Sequence, residues 1–333
     1  MSIHLKPIAQ QTIVITGASS GIGLTTASLA AEAGAAVVLV ARNEDALAKV
    51  ADDIRRSGGR AVHVVADVAD QAAVERVAEV AADRFGGFDT WVNNAGVGVY
   101  CELTDLPLEE HRQIFETNYW GVVHGSRVAV RHLAGRPGGG ALINVGSVNS
   151  DFAIPLLSAY AASKHAVKGF TDGLRMELLH AGTPVSVTLV KPSGIGTPFP
   201  QHARNHLDSE PAVAPPVYAP EVVARAILHA AEHQVRDVVV GGAGRIMAGA
   251  TTVAPTLMDR LFSWTLPAIQ RTGEPSTPTD NLFEPAGDGE RYCSRGRGRP
   301  FSAYTLVERH PVPALALLAV AGIALASRSS RRS

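Results

Sequence analysis

The segment "SAYAASKHAV" (Ser158–Val167) places a phenol and an ammonium, Tyr160 and Lys164, four positions apart. On a helix such a pair shares one face, a single turn apart. A free phenol has a pKa near ~10 and exchanges protons poorly at neutral pH, whereas a neighbouring cation favours phenolate and draws that value down. The pair therefore has the composition of a proton donor and acceptor. A second cluster lies far upstream. "TGASSGIG" (Thr16–Gly23) follows an apolar run and precedes a helical one. In that setting glycines let the backbone turn tightly and approach a pyrophosphate resting on a helix N-terminus. Taken singly, each cluster also has an ordinary reading: an amphipathic surface pair, and a simple turn.

The elements that must position these residues are legible. Apolar, β-branched runs recur in "TIVITG", "AAVVLVAR", "RAVHVVADV", "FDTWVNNAG", "ALINVGS", "VSVTLVKP" and "RDVVVGG", with helical stretches between them. Continuously apolar strands alternating with helices predict a parallel sheet covered on both faces. Seven such strands predict a doubly wound α/β fold. The unit closes near Gly244, so residues 1–245 are expected to form one catalytic domain. Residues 246–302 are expected to hold one or two amphipathic helices and then, from Arg271 to Ser302, a Pro/Gly/Arg/Ser-rich linker or loosely ordered loop. Residues 303–333 form a hydrophobic tail with a basic end.

Composition narrows the function classes. Hydrophobic residues make up 46% of the 333 residues, which excludes disorder of the whole. The formal net charge of −1 gives no basic surface for nucleic acid as the main partner. Two cysteines, Cys101 and Cys293, imply no disulfide framework and fit a reducing compartment. No secretory signal is read at the N-terminus. His111, His132, His165 and His180 lack zinc-site spacing, and no metal is expected.

The ordered set of motifs resembles the short-chain dehydrogenase/reductase superfamily in its compact form, over roughly residues 10 to 245. The set comprises Thr16-Gly17-x-x-x-Gly21-Ile22-Gly23, Asp67-Val68, Asn93-Asn94-Ala95-Gly96, Asn118, Ser147, Tyr160-x-x-x-Lys164, and Pro192 with Thr197 five residues on. One departure is Ser193, where the family usually has glycine. The resemblance implies a Rossmann-like, doubly wound, seven-stranded parallel sheet. It also implies an NAD(P)-dependent oxidoreductase that interconverts a carbonyl and an alcohol by hydride transfer.

It further implies roles. Tyr160 is expected as general acid and base, Lys164 as the cation that lowers its pKa and binds the nicotinamide ribose, and Ser147 as the group that orients the substrate oxygen. Asn118 is expected to hold a water linking the lysine to solvent. Cofactor contacts are expected from Gly17, Ser19, Ser20, Gly21, Ile22, Gly23, Arg42, Asp67, Val68, Asn94, Ala95, Gly96, Tyr160, Lys164, Pro192, Ile195 and Thr197. Asp67 would lie near the adenine or cap the following helix, and Asn93 would tie the central strands together. At the end of the second strand, Ala41-Arg42-Asn43 replaces the acid that reads ribose hydroxyls. A guanidinium there can grip a 2′-phosphate, so NADP(H) is expected, with NAD(H) as the alternative.

The Pro-rich segment from Gly194 to Ala219 would cover the substrate. Phe199, Val99 and Tyr100, with residues between Asn149 and Leu157, would line an apolar pocket, favouring an apolar ketone or secondary alcohol. The run from Pro311 to Ser327 is uncharged and ends in Arg328, Arg331 and Arg332. As a helix it would span about 25 Å, against a hydrocarbon core near ~30 Å. It reads either as a short or tilted membrane anchor on a cytoplasmic protein or as a helix docked on protein. The segment from Ile246 to Ile269 could add an interfacial surface. A homodimer or homotetramer is expected through the helices carrying Asn118 and Tyr160. Two other functions share the fold: a non-catalytic nucleotide sensor, and an epimerase or dehydratase.

Overall fold

The computed structural model describes residues 3–276, 279–286 and 288–309. The tail expected from Pro311 to Ser327 lies outside them. Strands and helices alternate as β1 (Thr12–Thr16), α1 (Gly21–Glu32), β2 (Ala36–Ala41), α2 (Glu44–Arg56), β3 (Arg60–Val65), α3 (Gln71–Phe85) and β4 (Thr90–Asn93). A two-residue strand β5 (Val99–Tyr100) follows, then α4 (Leu108–Phe115), a turn of π-helix (Glu116–Trp120) and α5 (Gly121–Ala134). The second half holds β6 (Gly140–Val145), α6 (Ser158–His180), β7 (Val185–Pro192), α7 (Phe199–His202), β8 (Arg204–Asn205), α8 (Pro220–Glu232) and β9 (Asp237–Val240). Three helices complete it: α9 (Gly242–Val253), α10 (Pro255–Ile269) and α11 (Ala303–Arg309).

Seven strands form one parallel sheet in the order β3-β2-β1-β4-β6-β7-β9, as expected for a doubly wound fold. Alternate residues of one strand feed opposite cores. Ile13 and Ile15 of β1 pack with Leu24 and Ala27 of α1, and with Val223 and Ile227 of α8. Val14 points the other way, into Val74 and Val77 of α3, Trp91 of β4, and Leu133 of α5. Both faces are therefore buried, which is why these strands read as unbroken apolar runs. The pair β5–β8 is separate from the sheet and was not legible as strand.

Local signals set the helix ends. Asn43 caps α2 by accepting from the Ala46 N–H at 3.1 Å, and Leu47, Val50, Ala51 and Ile54 form its buried stripe. Asp70 caps α3 by accepting from Ala72, and Gly86 ends that helix in the left-handed conformation. Asn93, expected to tie the central strands, donates to the Asn144 Oδ1 at 2.9 Å, across β4 and β6.

The order of strands reverses between β1 and β4. Ligands of such sheets bind in the crevice at the carboxyl ends of the strands, at that switch point. The Gly17 turn leaves β1 there, and Asn94 to Gly96 leave β4 beside it.

Residues 271–302, expected as a linker or loose loop, do have loop character but are fastened to the catalytic unit. The Gly21 N–H donates to the Glu290 carbonyl, and the Gly289 N–H to that of Ser19, each at 2.9 Å. Ala219 and Val217 exchange backbone bonds with Arg299. The segment thus runs as a strap over the glycine turn and the lid. Among the described residues, no helix is long and apolar enough to cross a membrane.

Candidate active site

A cavity of about 470 Å³ begins at the glycine turn and continues along the carboxyl ends of the central strands. Gly17 has φ +65°, and a side chain there would lie 2.9 Å from the Ala95 Cα. An added Cβ at Gly23 would lie 2.0 Å from the Gly17 carbonyl oxygen and 2.7 Å from the Asn94 Nδ2. Only glycine keeps this turn closed against α1 and β4. Thr16 locks the turn from below, its Oγ1 accepting from the Asn94 N–H at 2.9 Å and the Ala95 N–H at 3.1 Å.

Most of the residues expected to hold a cofactor line this one cavity. Gly17, Ser19, Ser20, Gly21 and Ile22 form one end, with Arg42, Asp67, Val68, Asn94, Ala95 and Gly96 beside them. Pro192, Ile195 and Thr197 line it further along, with Tyr160, Lys164 and Ser147. Gly23 does not face it; its part is the close packing of the turn. The first-turn N–H groups of a helix have no intrahelical partners and suit a phosphate. At the start of α1 the strap takes the Gly21 N–H, leaving those of the neighbouring residues for a ligand. Asp67 does not cap α3. It accepts from the Ala69 N–H at 2.9 Å and borders the cavity.

Arg42 departs from expectation in its partners. Its Nη1 donates to the carbonyls of Phe283 at 2.9 Å and Leu282 at 3.4 Å, and its Nη2 to that of Asn281. Asp67 lies 3.9 Å from the same guanidinium. The side chain forms cavity wall and strap anchor together. These three bonds leave two of its five N–H donors.

At the other end α6 presents Tyr160 and Lys164. The Lys164 Nζ donates to the Val145 carbonyl at 3.0 Å and lies 5.7 Å from the centre of the Tyr160 ring. Small residues keep the helix close to its neighbours: Ala159, Ala161 and Ser163 are buried, and the Ser163 Oγ donates to the Tyr160 carbonyl. Ser147 stands just after β6. Its Oγ accepts from the Asn149 N–H at 3.1 Å, and the Ser150 Oγ accepts from its N–H at 3.2 Å. The Ser147 hydroxyl is also hydrogen-bonded to that of Tyr160.

Burial pushes Tyr160 up to about 12, opposed only by the Ser147 bond. Burial pushes Lys164 down to about 8. The expected lowering of the phenol by its neighbour is corrected on this point. Here the loss of solvent outweighs the Ser147 hydrogen bond, so Tyr160 is held in its protonated form.

Asn118 is fully buried in the π-turn and does not face the cavity. Its Oδ1 accepts from the Val97 N–H, and its Nδ2 donates to the Val97 carbonyl and the Ser163 Oγ. It thereby ties the loop after β4 to α6. Gly96 lies between, where an added Cβ would be 3.3 Å from the Asn118 Oδ1 and 3.6 Å from the Lys164 Nζ.

The substrate end is apolar. Tyr100, Phe152, Ile154, Leu157 and Phe199 line it, as expected, and the Phe199 ring lies 5.4 Å from that of Tyr160. Val99 instead turns into a core with Cys101, Ile114 and Leu282. Met247, Leu266, Ile269 and Gln270 from α9 and α10, and Asn281, Pro285 and Asp288 from the strap, also line the cavity. Sequence reasoning missed these seven. The apolar stripe of α10 was visible, but nothing local said which face it would cover.

A sequence model of the short chain dehydrogenase family matches residues 11–208. An uncharacterized oxidoreductase of Bacillus subtilis, YxnA, is 44% identical over 322 residues, covering 95% of this chain and 90% of its own. A 1-deoxy-11-beta-hydroxypentalenate dehydrogenase of Streptomyces avermitilis is 38% identical over 201 residues, or 59% of this chain and 72% of its own. Among solved structures, a short chain dehydrogenase/reductase of Burkholderia phymatum in complex with NAD superposes with a TM-score of 0.68 at 27% identity. That likeness covers 74% of this chain and 94% of the other.

Proposed function

Because the chain belongs to the short-chain dehydrogenase/reductase family, NAD(P)-dependent oxidoreductases acting on CH–OH groups, we propose that it interconverts an apolar ketone and its secondary alcohol with NADP(H). The observation that carries this reading is the placement of Ser147, Tyr160 and Lys164 on the wall of one cavity, between a glycine cradle and an apolar chamber. The turn from Gly17 to Ile22, which borders the cavity at the start of α1, fits a pyrophosphate. A bound nicotinamide would supply or accept the hydride.

The chain's own residues would handle the proton. The Ser147 hydroxyl bonds the substrate oxygen and holds it against Tyr160. The Tyr160 O–H, protonated through neutral pH, donates to that oxygen as negative charge develops on it. The Lys164 ammonium would stabilise the tyrosinate left behind and would also bond the nicotinamide ribose. Asn118 positions α6 against the loop at Gly96. In the oxidative direction the same groups run in reverse. The presence of all three residues favours an enzyme over a nucleotide sensor, and the first-turn spacing Gly17-x-x-x-Gly21-x-Gly23, in place of Gly-x-x-Gly-x-x-Gly, favours it over an epimerase or dehydratase.

NADP(H) preference rests on the absence of an acid at the end of β2 and on the two donors Arg42 retains beside the cavity. An apolar substrate rests on the chamber walls; the Streptomyces relative is named for a hydroxylated substrate. Following NADPH and NADH absorbance across a panel of aldehydes, cyclic ketones, steroids and sugars tests both points. Consumption with sugars alone, or equal use of the two cofactors, would contradict them.

We infer a lipid surface as a further partner. The outward side of α9 and α10 exposes Ile246, Val253, Leu257 and Trp264, the last at 81%. Met247 and Leu266 of the same helices line the cavity. The uncharged run Pro311–Ser327 begins directly beyond α11, which exposes Leu306 and Val307. Exposed Leu108, Trp120, Met176 and Leu179 support self-association through the helices near Asn118 and Tyr160, as a homodimer or homotetramer.

A further inference from the structure

Resting on the reductase reading, we propose that Tyr100 is a substrate-recognition residue whose phenol O–H donates to a second oxygen of the substrate. The substrate is then an apolar ketone carrying an ether, ester or further keto oxygen near its reacting carbon. Strand alternation aims the Tyr100 side chain. The two side chains of β5 point to opposite sides. Val99 enters the core with Cys101, Ile114 and Leu282. Tyr100 turns the other way and packs with Ile154, Leu157, Tyr160 and Ala203. Ile154, Leu157 and Tyr160 line the cavity, and Tyr100 lines it with them.

The hydroxyl at the tip of that ring is unspent. Tyr100 is 3% exposed, and its carbonyl accepts from the His206 N–H at 2.9 Å as part of the β5–β8 pairing. Its phenol oxygen has no hydrogen-bond partner among the described residues. Unlike the Thr117 Oγ1 and the Gln270 Oε1, which are unpartnered and sealed off, the Tyr100 Oη keeps accessible surface. The space on that side of the ring is the cavity. Burial first, and then the charge of a Tyr160 phenolate, push the Tyr100 phenol well above its ordinary value. The second effect requires the two phenols to be near neighbours. The Tyr160 hydroxyl is bonded to Ser147, so the Tyr100 O–H stays protonated and free to donate.

Leaving a buried O–H unbonded costs its desolvation, and native proteins rarely do so without a purpose. Ile154, Leu157 and Ala203 around the ring have no side-chain acceptor to offer it. For packing alone, phenylalanine would serve better at this position. Ser147 and Tyr160 are the groups that hold the reacting oxygen, so a donor beside them meets a different oxygen, a few bonds away on the same molecule. A site built to bond such an oxygen discriminates strongly against the analogue lacking it.

The test compares 2-methoxycyclohexanone with 2-ethylcyclohexanone, and 2,2-dimethylcyclohexane-1,3-dione with 2,2-dimethylcyclohexanone. Each pair shares a skeleton and differs by one oxygen. Binding to the full chain loaded with NADPH is read by thermal shift, and turnover is read separately. Wild-type protein should bind the oxygenated member of at least one pair about tenfold more tightly, the yield expected of one buried hydrogen bond. In Tyr100→Phe, which keeps the ring, that ratio should fall to near one. Tyr100→Leu repeats the comparison, and the wild-type ligand series stands whatever either variant does. A Tyr100-dependent binding preference without turnover of any ketone would overturn the reductase reading and support this one. No oxygenated ketone preferred by wild-type protein, or a preference kept in Tyr100→Phe, would overturn the assignment of Tyr100.

Discussion

Tyr160 and Lys164, one turn apart on α6, are driven in opposite directions by the same burial: the phenol rises to about 12 and the ammonium falls to about 8. Lysine is therefore the member of the pair that titrates near neutrality. Its charged form is the protonated one, present below about 8 and lost above it. Reductive kcat/KM should be level below that pH and fall as pH rises through it, with Tyr160 still protonated. A pH profile that stays level to pH 10, or rises through pH 8, would refute the role given to the Lys164 charge.

Arg42 both borders the cavity and anchors the strap at Asn281, Leu282 and Phe283. Arg42→Ala should weaken NADPH binding by about 1–3 kcal/mol, the worth of charge-assisted hydrogen bonds, while changing NADH binding less. The same change should free the strap, making it more readily cut by trypsin. Equal losses for both cofactors with an unchanged digestion pattern would contradict this.

Gly23→Ala tests the cradle without touching any ionisable group. Its added methyl meets the Gly17 carbonyl at 2.0 Å, so the turn must open. NADPH affinity measured by calorimetry should drop by about tenfold or more, as expected when backbone N–H groups lose their aim. Unaltered affinity would mean that the turn does not hold the pyrophosphate.

Trp264 is the probe for the lipid surface. The full chain should sediment with anionic phospholipid vesicles, and both Trp264→Glu and a chain ending at Ser302 should sediment less. A full chain that stays in the supernatant would remove the lipid partner from the account.

Much of this architecture is readable in the chain because its signals are local. The strands are buried on both faces, so "AVVLVA" and "ALINV" stand out as unbroken runs. Tyr160 and Lys164 are brought together by helix geometry alone. What was hidden depends on distant contacts. The strap holds Arg42 through backbone carbonyls, which every residue has, so composition cannot reveal it. Tyr160 is desolvated by walls drawn from β5, α7 and the loop after β6, and that burial, not the neighbouring charge the sequence makes obvious, sets its direction.

The most direct measurement is turnover by Tyr160→Phe, using NADPH and the best ketone of the panel, alongside NADPH affinity. The proton donor is removed while the cradle and Lys164 remain. The kcat should fall by about 10²–10⁴-fold, the usual contribution of a positioned acid, with NADPH affinity and the folded state retained. Turnover within a few-fold of wild type would contradict it.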